Sequence, residues 1–284
     1  MSPLRIFGLT SLAMLAFAGN SLLCRLALKN TPIDPASFTA IRLVSGAVML
    51  FLIVKLRRRA AVGQGNWLSA LVLFAYAAGF SFAYVSLPAA TGALLLFGAV
   101  QATMISHGFR AGERLRSLQL LGLLLAFGGM VGLLLPGLAA PPLLGSVLML
   151  GAGVAWGVYS LRGKGAGDPT GVTAGNFMRA APIAVVLSLL LLSQSEVRAS
   201  LDTAGFCYAL ASGALTSGIG YAIWYTALPA LKATQAATVQ LSVPVIAALG
   251  GIVFLGESLT LRLMLASIAI LGGIALVILE RRKV

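Results

Sequence analysis

Acidic residues are scarce in this chain: 7 Asp and Glu stand against 20 Lys and Arg in 284 residues, with 1 His and 2 Cys. Each shortage excludes a class of chemistry. A single histidine, His107, leaves His-based zinc sites and a Ser-His-Asp triad without their parts. Cys24 and Cys207 lie far apart, with no metal or redox spacing, and both read as small buried apolar residues. The carboxylates (Asp34, Glu113, Asp168, Glu196, Asp202, Glu257 and Glu280) fall in links or at segment ends, so no acid stands ready as a general base or proton relay at membrane depth. The phosphate loop G-x-x-x-x-G-K-[ST], the H-E-x-x-H zinc motif and the G-x-S-x-G nucleophile elbow are all missing. No enzymatic activity, metal or other cofactor is expected.

Apolar residues take up the room. The chain is 59% hydrophobic and 10% charged, with a mean hydropathy of +1.00. An apolar helix of about 20 residues crosses the hydrocarbon core. Ten such spans can be placed, near 6–28, 37–55, 67–87, 91–109, 117–135, 143–161, 171–193, 203–227, 234–255 and 262–280. They leave no length for a soluble domain. Strands of a membrane barrel are about half as long, so the expected fold is all-α with ten transmembrane helices. The first span follows Arg5 as the apolar run of a signal peptide would, yet its full length and its nine successors make it part of the fold.

The net charge of +13 invites a nucleic-acid reading that its distribution rejects. With the N-terminus inside, the inner segments carry Arg5, Lys55, Arg57, Arg58, Arg59, Arg110, Arg114, Arg116, Arg162, Lys164, Lys232, Arg281, Arg282 and Lys283. The outer ones carry only Lys29, Arg198 and Arg262. This bias predicts a multi-pass membrane protein with both termini cytoplasmic. Lipid, not nucleic acid, is the expected partner of its basic face.

The chain also repeats itself. "GFSFAYVSLPA" (79–89) returns as "GYAIWYTALPA" (220–230), "GERL" at 112–115 as "GESL" at 256–259, and Gly128-Gly129 as Gly272-Gly273. Arg25 and Arg42 find counterparts in Arg162 and Arg179. The expected units are residues 1–140 and 141–284, five spans each. An odd number of crossings inverts the second unit relative to the first, and inverted halves can rock about a solute site between them. The expected architecture is two inverted five-helix repeats around a central cavity, and the expected function is transport.

Polar and aromatic residues deep in the spans are the candidate cavity: Asn20, Tyr76, Phe80, Tyr84, Gln101, Trp156, Tyr159, Tyr221, Trp224, Tyr225, Gln240 and Ser242. Singly, each reads equally well as glue between helices. As a set they avoid spans five and ten, and Trp156 and Trp224 sit mid-span instead of at a headgroup belt. Arg42 and Arg179 have two open readings: long stems snorkelling to the headgroups, or basic mouths that draw in carboxylates. Gly128-x-x-x-Gly132, Gly272-Gly273 and Gly153-x-x-x-Gly157 suggest close helix packing. Pro182 and Pro244 are expected to interrupt helices seven and nine. The chain is consistent with a monomer or a homodimer.

The ten spans in two sets of five, the "GERL/GESL" pair after spans four and nine, and "AWGVYS" (155–160) opening the second half resemble the EamA family of the drug/metabolite transporter superfamily. Within it the chain looks most like the YddG-type bacterial amino-acid exporters. The resemblance implies a basket of helices around a cavity and export of amino acids from the cytoplasm. It carries the family's cavity tryptophan onto Trp156. Where the family has an aromatic in span four this chain has Ala99, which implies a broad or smaller-side-chain substrate range. The implied mechanism is alternating access by a secondary carrier of the bacterial inner (plasma) membrane. Export of another small metabolite or drug-like compound by the same fold, and a membrane sensor without transport, are the alternatives.

Overall fold

The computed structural model describes residues 2–57, 64–110, 117–135, 137, 140–163, 168–194, 202–231 and 239–280. These form helices throughout: α1 (Pro3–Asn30), α2 (Pro35–Leu56), α3 (Trp67–Tyr84), α4 (Ala89–Arg110), α5 (Ser117–Leu134), α6 (Leu143–Gly163) and α7 (Pro169–Gln194). Then come α8 (Thr203–Ala230), α9 (Ser242–Leu255) and α10 (Leu261–Glu280). The first eight are long and apolar enough to span a membrane; α9 and the apolar part of α10 (Leu261–Leu276) are shorter. The ten helices match the ten spans expected, and the first residues of the expected span nine, 234–238, lie outside the described residues. Arg58, Glu113 and Arg281 lie outside them as well.

Local chemistry explains where the helices begin. Pro35 and Pro169 open α2 and α7 at a position whose N–H would have no intrahelical partner. Asp34 caps α2, its Oδ1 accepting from Ala36 N at 2.9 Å and Ser37 N at 2.8 Å. Asn66 caps α3 by accepting from Ser69 N at 2.8 Å, and Asp202 caps α8 by accepting from Gly205 N at 3.2 Å. Two of the few carboxylates are thereby spent on orphan backbone donors. Pro244 sits just after the break expected in span nine: residues 239–240 are helical, Leu241 is a turn, and α9 begins at Ser242. It lies in the first turn of a helix that starts at Ser242, where a missing N–H is harmless. Pro182 does lie inside α7.

The molecule is apolar outside and polar at its centre. Leu4, Phe127, Val253, Phe254 and Ile268 are widely exposed, as expected of a lipid-facing surface, whereas Arg42 is the largest fully buried side chain. Cys24 is buried, but Cys207 is exposed on α8, so only one cysteine matches the expectation. The main helix pairings are α2 with α7 and α8, α3 with α6, α4 with α6 and α9, α1 with α8 and α9, and α5 with α10.

Glycine lets two of these pairs approach closely. A Cβ at Gly153 would lie 2.6 Å from Ala99 Cβ, and one at Gly157 would lie 2.8 Å from Thr103 Cβ, so this pair seats α6 on α4. Between α5 and α10 the contact is made by Gly129, against Ala269 and Ile270, and by Gly273, against Gly122 and Ala126. A Cβ at Gly128 or Gly132 would meet nothing within 4 Å; both border an open groove that α5 shares with Leu265 and Ala269 of α10. The close contact with α10 therefore runs through Gly129, next to the G-x-x-x-G pair expected to make it.

Side-chain ties sort the links to two ends. At the α1–α2 end, Arg25 and Lys29 of α1 reach the α3–α4 and α9–α10 turns, with Lys29 Nζ donating to Leu255 O at 3.0 Å. At the α2–α3 end, Arg162 of α6 donates from Nε to Ser69 Oγ at 2.9 Å and from Nη2 to Asn66 Oδ1 at 3.1 Å. Asn176 of α7 accepts there from Asn66 N at 3.0 Å.

Candidate solute site

Between these ends six helices point their polar and aromatic side chains inward. Tyr76, Phe80 and Tyr84 follow one another at i, i+4 and i+8 on one face of α3. Trp156 and Tyr159 project from α6, and Tyr221 and Trp224 from α8. Trp156 is the hub, with ring centroids 4.9 Å from Tyr76, 5.1 Å from Tyr221 and 5.6 Å, stacked, from Tyr159. Phe17 of α1 meets Tyr221 and Trp224 edge-on at 5.7 and 5.9 Å, and Phe177 of α7 meets Tyr221 at 5.9 Å. Such offset and edge-on pairs are the favoured aromatic geometries.

Against the rings lies a polar chain. Arg42, 1% exposed, donates from Nη2 to Tyr76 Oη at 3.1 Å and from Nε to Ser217 Oγ at 3.4 Å. Its guanidinium carbon lies 4.8 Å from the Phe80 ring centroid and 5.3 Å from that of Tyr76. Tyr76 Oη also accepts from Asn20 Nδ2 at 3.5 Å. Asn20 Oδ1 in turn accepts from Ser212 Oγ at 2.6 Å and Thr216 Oγ1 at 3.3 Å.

Ser212, Thr216 and Ser217 reach this chain because α8 is not regular. Residues Ser212–Ile219 form a π-helix, and Gly220 N–H donates to Leu215 O, five residues back. Such wide turns are rare and tend to occur at functional positions. Close to it, Gly213 lets α8 rest on α2: a Cβ there would collide with Ser45 Oγ and with the Arg42 carbonyl.

The site has three hollows. The central one, about 20 Å³, is lined by residues including Phe17, Asn20, Tyr76, Phe80, Trp156 and Tyr221. It offers the room of about one water, so a solute enters only when helices separate. At the α2–α3 end a hollow of about 30 Å³ is bounded by Tyr159, Arg162, Asn176 and Tyr225 among others. At the α1–α2 end a larger one of about 410 Å³ is bordered by Arg25, Pro88, Pro142 and Glu257 among others.

The structure thus gathers Asn20, Tyr76, Phe80, Trp156 and Tyr221 at the centre, with Trp224 behind Phe17. Tyr159 accepts from Asn176 Nδ2 at 3.3 Å and donates to Thr173 Oγ1 at 3.5 Å, which sets it with Tyr225 at the α2–α3 end. The other candidates stand apart from the central hollow. Tyr84 donates to Ala89 O at 3.3 Å, Ser242 to Val239 O at 2.7 Å, and Gln101 is buried on α4 while Gln240 is half-buried. Arg42 is not at a mouth: α2, α3 and α8 enclose it. Arg179, its sequence counterpart, is half-buried and donates from Nη1 to Gly175 O at 2.8 Å and Gln64 O at 3.3 Å. Sequence reasoning missed Phe17, Phe177, Ser212, Thr216 and Ser217. The run "SGALTSG" (212–218), small and hydroxyl-rich inside an apolar span, was the available signal for the last three.

Known proteins resemble this chain in sequence and in fold. A protein of Pseudomonas aeruginosa called "Uncharacterized protein PA1977" is 59% identical over 282 residues, covering 99% of this chain and 97% of its own. The "Uncharacterized transporter YoaV" of Bacillus subtilis is 25% identical over 267 residues, 89% of this chain and 90% of its own. The "Threonine/homoserine exporter RhtA" of Escherichia coli (strain K12) is 34% identical over 134 residues, but these make up 46% of this chain and 44% of that protein. A solved crystal structure superposes over 100% of both chains with a TM-score of 0.69 at 21% identity, a likeness of fold. The model of the EamA-like transporter family matches twice, over residues 5–135 and again over 143–279. This chain is a multi-pass membrane protein that belongs to the EamA-like transporter family.

Proposed function

We propose that this protein is a secondary transporter of the bacterial inner membrane that exports amino acids, with broad specificity, by alternating access. The observation that carries the reading is the convergence of side chains from both family-matched segments on one central hollow. Phe17, Asn20, Tyr76 and Phe80 come from the first, and Trp156, Thr216 and Tyr221 from the second. A carrier whose halves, residues 1–140 and 141–284, are inverted repeats would open that hollow to each face in turn. The Lys/Arg bias supports a cytoplasmic position for the α2–α3 end and both termini. Amino acids are favoured as cargo because the centre offers a cation, amide and hydroxyl groups, and aromatic faces together, a set suited to a zwitterion with a variable side chain. The partial likeness to a threonine/homoserine exporter points the same way.

Counterflow tests it. Liposomes containing the purified protein and loaded with mixed unlabelled amino acids should accumulate labelled threonine or other small amino acids transiently, and liposomes without protein should not. Equal labelling of both across all twenty amino acids would sink the reading.

A further inference from the structure

Arg42 is a buried cation with an unfinished environment. Its side chain lies within the span, at the junction of α2, α3 and α8, and a guanidinium stays charged at any accessible pH. Its contacts are neutral: two hydroxyls, Tyr76 Oη and Ser217 Oγ, and the faces of two rings. Its Nη1 is buried and donates to nothing among the described residues. The one ion pair among the described residues, Arg25–Glu257, is at the α1–α2 end and engages a different arginine. Asp34 and Asp202 are engaged as helix caps.

A full charge held at membrane depth without a counter-ion is costly, and an unpaired donor on it adds to that cost. Rings and hydroxyls relieve only part of it. The same rings, Tyr76 and Phe80, that flank the guanidinium also wall the central hollow. Asn20 fixes Tyr76, and Ser212 and Thr216 fix Asn20, so the half-site is rigid from three helices. Arg179 offers no equivalent, since backbone carbonyls of Gln64 and Gly175 already occupy its Nη1.

Resting on the transport reading above, we infer that the transported solute supplies the missing half of an ion pair: a carboxylate that accepts from Arg42 Nη1 beside the Tyr76 hydroxyl. Cargo is then defined by its carboxylate, with the rest of the molecule in the aromatic hollow read loosely. The solute's own charge, not a proton on a protein acid, compensates Arg42 when the helices close around it.

A competition series on the unmodified protein tests this. The amino acid with the strongest counterflow is competed with its amide, its amino alcohol and its N-acetyl derivative. The N-acetyl form keeps the carboxylate and should compete. The amide and alcohol should be at least about tenfold weaker, as loss of a charge-assisted hydrogen bond implies. Arg42→Gln should abolish this discrimination, and Arg42→Lys should restore it only in part, because an ammonium lacks the bidentate fork. Amide and alcohol competing as well as the parent would overturn the inference while leaving transport intact. If no amino acid exchanges, the transport reading falls, and thermal-shift titration of the detergent-solubilised protein with the same series decides Arg42 separately. Stabilisation by carboxylates alone, lost in Arg42→Gln, supports it; equal shifts from amides, from chloride or from none overturn it. Should Arg42→Gln fail to fold, the series on the unmodified protein and on Arg42→Lys still decides.

Discussion

Arg25 Nε lies 3.2 Å from Glu257 Oε1, joining residues 232 positions apart across the α1–α2 end of the bundle. The two side chains are 12% and 10% exposed. Neither is committed to the other alone. Arg25 Nη1 donates to the carbonyls of Tyr84 at 2.9 Å and Val85 at 3.0 Å, and Glu257 Oε2 accepts from Ala89 N at 2.8 Å. One ion pair thus ties α1, the end of α3, the start of α4 and the α9–α10 turn.

Removing either partner should therefore cost roughly 2–4 kcal/mol, because the survivor is left charged and poorly solvated. Exchanging them, Arg25→Glu with Glu257→Arg, should recover less than half of the lost thermal stability in detergent. An arginine at 257 has no lone pair for the Ala89 N–H. Full recovery would reduce the contact to simple charge attraction.

Trp156→Ala removes the ring that meets Tyr76, Tyr159 and Tyr221. Loss of such contacts is worth about 1–3 kcal/mol, so solute affinity in counterflow should fall roughly tenfold to a hundredfold. Trp156→Phe should keep most of it. A well-folded alanine variant with normal exchange would return Trp156 to ordinary packing.

Gly213→Ala should destabilise the protein by about 1–3 kcal/mol. The added methyl meets the Arg42 carbonyl, which cannot rotate away as a side-chain tip could. Gly128→Ala, where a Cβ meets nothing, is the control and should melt like the unmodified protein. Equal melting of all three would sink the close approach of α8 to α2.

Orientation is open to labelling. Ser258 and Gln64 are exposed at opposite ends of the bundle, so single cysteines can be placed there after Cys24 and Cys207 are replaced by serine. An impermeant maleimide added to intact cells should modify Ser258→Cys and spare Gln64→Cys. The reverse pattern would invert the assignment made from Lys and Arg.

The helices were legible because hydropathy over about 20 residues is a coarse, redundant signal. The aromatic hub was partly legible: Trp156 and Tyr221 lie too deep for a headgroup belt. The position of Arg42 was not. Sequence depth alone cannot tell a guanidinium that snorkels from one enclosed by α2, α3 and α8, because the enclosure depends on contacts between distant segments. The sequence equivalence of Arg42 and Arg179 was misleading for the same reason, since their partners differ. The glycines of α5 show a finer limit: a helix turns about 100° per residue, so Gly129 seats on Ala269 and Ile270 while its neighbour Gly128 borders the open groove beside them.

The π-helical stretch of α8 makes that helix sensitive to length in a way its composition is not. A π turn holds more residues than an α turn, so losing one residue between Ser212 and Ile219 would let the chain settle into a plain α-helix. Because the wide turn absorbs the extra residue, Tyr221 and Trp224 beyond it would keep roughly their facing toward Phe17, while the hydroxyls of Thr216 and Ser217 inside it would turn away from Asn20 and Arg42. The deletion of a single codon here would leave a span just as hydrophobic and an aromatic wall in place, but a polar chain cut at Asn20.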